Sequence, residues 1–241
     1  MKVIFIGGKK IGYKILEHLV KTDAVSLVVT NKSDTKPERW FPSVKEITDK
    51  YDIPYMQGNI NEMEDYIKGI EPDFIVCAYY DYILKPNIIA LPTKEAINIH
   101  MGLAQEYRGC YPTTFPIIDG KNHAGITIHS ISAGIDDGPI YATNQFPLYD
   151  KETGKEVYDK CTDLALVTFK EIWPRIKSES IIPKNQTGNP VYHKRSDFPS
   201  HRINLDWPMF KIDRYVRALT FPPFPMPYFT FEGKKFEIQY V

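Results

Sequence analysis

Apolar residues in the first hundred positions come in two alternating textures. Short unbroken runs at Val3 to Ile6, Val25 to Thr30 and Phe74 to Ala78 read as strands buried on both faces, whereas Ile11, Ile15, Leu16 and Leu19 recur at helical spacing. This alternation predicts α/β architecture, a Rossmann-like domain with a mostly parallel sheet covered on both faces. Ser43 with Glu46, and Thr153 with Glu156, are capping boxes that open helices. The second helix is expected to turn Val157, Cys161, Leu164, Ala165, Thr168 and Ile172 inward, and Pro174 to end or kink it. After Pro183 the texture changes. Asn185 to Pro190 is rich in turn formers, and alternating runs such as Phe236 to Tyr240 predict a small β-rich C-terminal domain. The division expected is 1–183 and 184–241. Phe221 to Pro227 reads as a rigid turn packing its phenylalanines, the alternative being a polyproline ligand.

Composition narrows the function. Thirty basic and thirty acidic residues cancel, so no global field draws the chain to nucleic acid or an anionic membrane. With 43% apolar residues a sizeable core is available, yet no run reaches membrane-spanning length. The N-terminus enters directly as a short strand without a signal-peptide pattern, and three scattered cysteines suggest reduced thiols, so a cytoplasmic protein is expected. Gly7 to Gly12 resembles a dinucleotide turn, but Lys9 stands where a second glycine must let a pyrophosphate approach. A nicotinamide cofactor is therefore not expected. His123 and His129 lack ligand-spaced partners, so no metal is expected either.

The chemistry gathers at the strand Ala96 to His100. Residues two apart on a strand share a face, which sets Asn98 beside His100: a donor suited to an oxyanion next to a base that titrates near neutrality. Asp136, thirty-six residues after His100, lies in Gly134-Ile135-Asp136-Asp137-Gly138, which offers a carboxylate on a glycine-flanked loop. Asp136 and Asp137 compete for the role of holding the imidazole in one tautomer.

The stretch Asn98-Ile99-His100-Met101-Gly102-Leu103-Ala104-Gln105-Glu106-Tyr107-Arg108-Gly109 resembles the signature of folate-dependent formyltransferases, Asn-x-His-Pro-Ser-Leu-Leu-Pro-x-Tyr-Arg-Gly. Met1 to Gly7, Ala78 to Leu84 and the tail segments Arg202 to Leu205 and Val216 to Leu219 are similar to other parts of that family. The resemblance implies a catalytic trio of Asn98, His100 and Asp136, the family register Asp-x-Gly selecting Asp136 over Asp137. It implies N10-formyltetrahydrofolate as formyl donor, its pterin beside Tyr82, Ile83 and Leu84 and beside Ala133, Gly134, Ile135 and Asp137. Met101, Gly102, Ala104 and Gln105 depart from the family pattern, which bears on the shape of the loop and on substrate choice.

Within that family the tail decides the acceptor. Residues 186 to 241 hold eight Lys/Arg against five Asp/Glu, too weak a surplus for the basic domain of a methionyl-tRNA formyltransferase. Purine-pathway members normally lack such a tail. Arg217-Ala218-Leu219-Thr220-Phe221-Pro222-Pro223 is similar to the tail of sugar N-formyltransferases, which implies a dTDP-linked amino-dideoxyhexose, dTDP-4-amino-4,6-dideoxyglucose being the expected acceptor, in surface polysaccharide or O-antigen synthesis. Lys9, Lys10 and Arg108 are the expected anion contacts, two solvated loop lysines being the alternative for the first pair. Tyr79, Tyr80, Asp81, Tyr107, Gly109, Gln186 and Phe221 complete the expected substrate contacts. The exposed-looking aromatics of the tail suggest a homodimer. A nucleotide-sugar binding module without catalysis is the competing class.

Overall fold

The computed structural model describes residues 1–240. The apolar runs form β1 (Lys2–Gly7), β2 (Ala24–Thr30), β4 (Phe74–Ala78) and β5 (Glu95–His100), with the short β3 (Tyr55–Gln57) between them in sequence. The helices α1 (Lys9–Thr22), α2 (Val44–Tyr51), α3 (Glu64–Ile70) and α4 (Pro86–Ile89) alternate with these strands. Farther along come β6 (Tyr107–Gly109), α5 (Phe115–Ile118), β7 (His123–Ser130), β8 (Ile140–Pro147) and the long α6 (Gly154–Lys177). The tail adds β9 (Val191–His193), α7 (Met209–Leu219), β10 (Tyr228–Phe231) and β11 (Lys234–Glu237).

The seven-stranded sheet runs β3-β2-β1-β4-β5-β7-β8. Its first five strands are parallel, in the order that places a ligand crevice outside their carboxyl ends, and β7 then pairs antiparallel with β5. The expected α/β class with a mostly parallel sheet is what forms, and the tail contributes the antiparallel hairpin β10–β11. Among the described residues no helix is long and apolar enough to cross a membrane.

Two compact units divide the chain. One comprises Met1–His100, Thr127–Thr143 and Ala165–Thr187; the other comprises Met101–Ile126, Asn144–Leu164 and the chain from Gly188 onward. In the first, Ile4, Ile6, Leu27, Val29, Ile75 and Ala96 form a core with Ile60, Ile67, Leu84 and Ile88. In the second, Ile203, Val216 and Leu219 form a smaller cluster to which Ile238 and Tyr240 add partial cover.

Both capping boxes are made: Ser43 with Glu46, and Thr153 N donating 2.8 Å to Glu156 Oε2. The inward stripe of α6 is buried as expected except at Leu164, which is half-buried. Pro174 does not end the helix, which continues to Lys177. Its ring lies on the exposed face, while the residues on either side of that face hold the last turn down. Trp173 packs edge-on to Phe74 at 4.9 Å and stacks on Phe169 at 5.4 Å. Its Nε1 donates 2.9 Å to Asp23, which also accepts 2.7 Å from Lys177 Nζ. Burial disfavours the Asp23 charge, but the hydrogen bonds from Lys177, Trp173 and Thr22 outweigh it and hold the carboxyl below its usual range. That contribution to stability is present above the unfolded-state value and is lost as pH falls through the lower folded one.

Adjacent substitutions in α6 should therefore act in opposite directions. Trp173→Ala is expected to cost about 3–5 kcal/mol by opening a cavity under the sheet. Pro174→Ala should stabilise by roughly 1–3 kcal/mol, because it restores a helical N–H and removes no packing. Urea unfolding of both variants checks the signs, and a destabilised Pro174→Ala would show that the ring packs after all.

Candidate active site

Strand alternation sets Asn98 and His100 on the same face of β5. The β5–β7 register then puts His129 directly opposite Asn98. Between β7 and β8 the chain loops back, and Asp136 closes the group. Asn98 Nδ2 donates to Asp136 Oδ1 at 3.1 Å and approaches His129 Nε2 at 3.2 Å. Asp136 Oδ2 lies 3.3 Å from His100 Nδ1, and Oδ1 lies 3.4 Å from His129 Nε2. Since His129 Nδ1 is 2.8 Å from the Ser130 carbonyl, that nitrogen carries the proton and Nε2 accepts from Asn98. The side chains of His100, His129 and Asp136 are 6%, 3% and 12% exposed, so these polar contacts are made with little water to weaken them.

The group contains the three residues read from the sequence and one, His129, that was passed over there. No spacing rule finds His129, because its place depends on the register of a pairing between strands 31 residues apart. Asp137 points elsewhere: Ser132 Oγ donates to its carboxylate. A Cβ on Gly134 would lie 2.0 Å from Asp137 Oδ2, so glycine is needed for that carboxylate to fold back on its own loop. Beneath the group, Cys77 pairs with Asn98 across β4–β5, and burial, with a smaller push from Asp136, raises its thiol to about 12. It is an inert packing residue. No cluster of His, Cys, Asp or Glu among the described residues is arranged to hold a metal ion.

At the carboxyl end of β1, Gly7 has φ +147°, and a Cβ there would meet Ala78 O at 1.9 Å. Lys9 follows, also left-handed at φ +59°. Its ammonium lies 4.2 Å from the Phe41 ring centre and about 6 Å from those of Tyr79 and Trp40. Burial lowers the pKa of Lys9, opposed by the nearby charges of Asp81 and Asp34. Asp34 is itself buried and accepts from Ser43 Oγ at 2.5 Å and from Tyr55 Oη at 3.3 Å.

The loop after β4 is clamped by Asn31, another residue without a sequence signal: its Nδ2 donates to Tyr79 O at 3.0 Å and its Oδ1 accepts from Asp81 N at 2.8 Å. Tyr79 is exposed there, whereas the Tyr80 hydroxyl accepts from Ile60 N and donates to Gly58 O. Tyr82 lies 5.3 Å from Tyr80, Ile83 is exposed, and Leu84 belongs to the core. Gln186 Nε2 donates to the carbonyls of Asp136 and Gly138.

In the second unit Tyr107 Oη donates 2.7 Å to Asp119, Arg108 Nε donates 3.1 Å to Ala104 O, and Gly109 at φ +82° passes close to His193 O. Phe221 packs edge-on to Tyr158 at 5.3 Å.

The formyl transferase family signature matches residues 1–171. The chain belongs to the formyl transferase family. This formyl transferase is 32% identical over 231 residues to the bifunctional polymyxin resistance protein ArnA of Wigglesworthia glossinidia brevipalpis, a match that covers 92% of the chain but only 35% of that protein. It is 28% identical to the methionyl-tRNA formyltransferase of Clostridium botulinum, over 99% of the chain and 79% of the relative. Its fold matches a sugar N-formyltransferase from Shewanella with a TM-score of 0.81 at 22% identity, covering 99% of this chain and 96% of that one. The N-formyltransferase from Helicobacter canadensis, solved with folinic acid and dTDP-3-aminofucose, matches with a TM-score of 0.79 at 22% identity, covering 98% and 86% of the two chains.

The setting of Lys9 can be checked by following methylated lysines by NMR through a pH titration. Phe41→Ala, by admitting water, should raise the Lys9 midpoint towards the ordinary lysine value of 10.5, and Asp81→Asn should lower it further. Midpoints that move the other way would remove the aromatic cover from the account.

Proposed function

We propose that this chain transfers a formyl group from N10-formyltetrahydrofolate to the amine of a dTDP-linked amino-dideoxyhexose, dTDP-4-amino-4,6-dideoxyglucose being the acceptor of choice. The observation that carries the chemistry is the meeting of Asn98, His100, His129 and the Asp136 carboxylate in one buried group at the carboxyl end of the sheet. His100 accepts the proton that the acceptor nitrogen sheds as it bonds to the formyl carbon. Asn98 supplies an N–H to the oxyanion of the tetrahedral intermediate, exchanging its contact with Asp136 for one with the substrate. Asp136 keeps His100 oriented and stabilises its protonated form. The proton then leaves His100 for the departing folate nitrogen, completing the transfer.

Two features support a nucleotide sugar as acceptor. The fold matches that of the Shewanella sugar N-formyltransferase with a TM-score of 0.81. The tail also carries only eight basic against five acidic residues, a weak surplus for holding a tRNA backbone. Lys10 is assigned to the diphosphate on its place in the first turn of α1. Arg108 is assigned to an anionic group of the acceptor on its place in the motif alone. The donor pterin is assigned to the rim formed by the half-buried Tyr82 and Ile135 with the exposed Ile83, Ala133 and Gly134.

With formyltetrahydrofolate and a panel of nucleotide amino sugars read by mass, the wild-type chain should add one formyl group. His100→Asn and Asp136→Asn should each lower turnover by about a hundredfold or more while folding normally. Near-normal turnover in folded His100→Asn would sink the catalytic assignment, and formylation of methionyl-tRNA with every sugar untouched would sink the acceptor.

Substrate contacts separate in a second measurement. Lys10→Ala and Arg108→Ala should each raise KM for the nucleotide sugar about tenfold with little change in kcat, because they remove binding to groups that do not react. An unchanged KM would take these residues out of the substrate site.

A further inference from the structure

Asp136 is held in an unusual backbone state. Its φ of +49° is left-handed, a region uncommon for residues with a Cβ, though aspartate enters it more readily than most, so the turn needs contacts that keep it there. Asn98, His100 and His129 approach its carboxylate. The backbone is held from the other side. Both amide hydrogens of Gln186 are directed at carbonyl oxygens of this loop, at 2.8 Å to Asp136 O and 2.8 Å to Gly138 O.

Gln186 reaches that position because the chain before it is anchored. Ile140 and Lys184 exchange two backbone hydrogen bonds, Ile140 N to Lys184 O at 2.7 Å and Lys184 N to Ile140 O at 2.8 Å. This antiparallel bridge fixes the segment after α6 against the start of β8, so the Gln186 side chain needs little further ordering to span the turn. A planar amide with two hydrogens suits two convergent carbonyls, and no carboxylate or aliphatic side chain of that length can replace it.

We propose that Gln186 is a positioning residue that acts through Asp136. By holding the Asp136 and Gly138 carbonyls it keeps the turn in its left-handed state, and the left-handed turn aims the carboxylate at Asn98 and His100. This role differs from the substrate contact expected of Gln186 from sequence. It rests on the formyl-transfer reading of the same site.

The test is a double-mutant cycle with a structural readout. Gln186→Leu should lower kcat about tenfold to a hundredfold, with KM for the amino sugar and for the formyl donor within about twofold of wild type. In an Asp136→Asn background the same change should cost less than about twofold more, since the group it positions is already disabled. Gln186→Glu is close in size and carries the measurement if Gln186→Leu does not fold; ionised, it offers no hydrogen to either carbonyl and should show the same loss. A crystal structure of the variant should show the Asp136 carboxylate turned away from Asn98. That readout needs no substrate, so it tests the clamp even if the wild-type chain formylates no amino sugar, a result that would refute the proposed function alone. Additive losses in the cycle, a raised sugar KM with intact kcat, or an unmoved Asp136 carboxylate would each overturn the positioning role.

Discussion

When β7 lies antiparallel against β5, three things happen together. His129 comes opposite Asn98, the edge of the parallel sheet is extended, and β7 ends beside Ala96, from where the next turn must come back for Asp136 to reach Asn98 and His100. That turn carries Asp136. A carboxylate placed among one amide and two imidazoles at low exposure cannot be satisfied by water, so its partners must be accurate, and accuracy is what a strand ladder supplies. Asn98, His100 and His129 are all strand residues. Only Asp136 sits on a loop, and this is the residue that a side chain from elsewhere holds by its backbone.

The sheet was legible because its strands are continuous apolar runs, and such runs have few alternatives to burial on both faces. Asn98 and His100 were legible for a related reason, strand alternation being a local property. Asp136 could be chosen over Asp137 only by the family register; the physical distinction, that Asp137 folds back on Ser132 and Gly134, appears only once the turn is built. His129 and Asn31 escaped sequence reading since their roles depend on contacts with distant segments, and no periodicity encodes a cross-strand partner. Pro174 does not end its helix: the packing of Trp173 and Ile176 carries the last turn past it, with the proline left on the solvent side.

Two charges in the first unit show how surroundings set chemistry. The Lys9 ammonium is drawn over an aromatic ring, and its positive charge is disfavoured by burial. Asp34 is buried too, but there a hydroxyl, a backbone amide and a phenol converge on its carboxylate. Identity of residue type is therefore a poor guide to role wherever the local dielectric differs.

The hydrogen bonds that Asp34 accepts from Ser43 and Val44 also close residues 34–44 into a loop whose two ends meet. A segment tied at its own base can change in length or composition between the ties without pulling on the strands beside it. Trp40 and Phe41 lie on that segment, while Asn98, His100, His129 and Asp136 lie on or between strands it does not touch through those ties. The aromatic cover of Lys9 thus hangs on a loop tied at its own base, whereas the geometry around Asp136 hangs on the strand ladder.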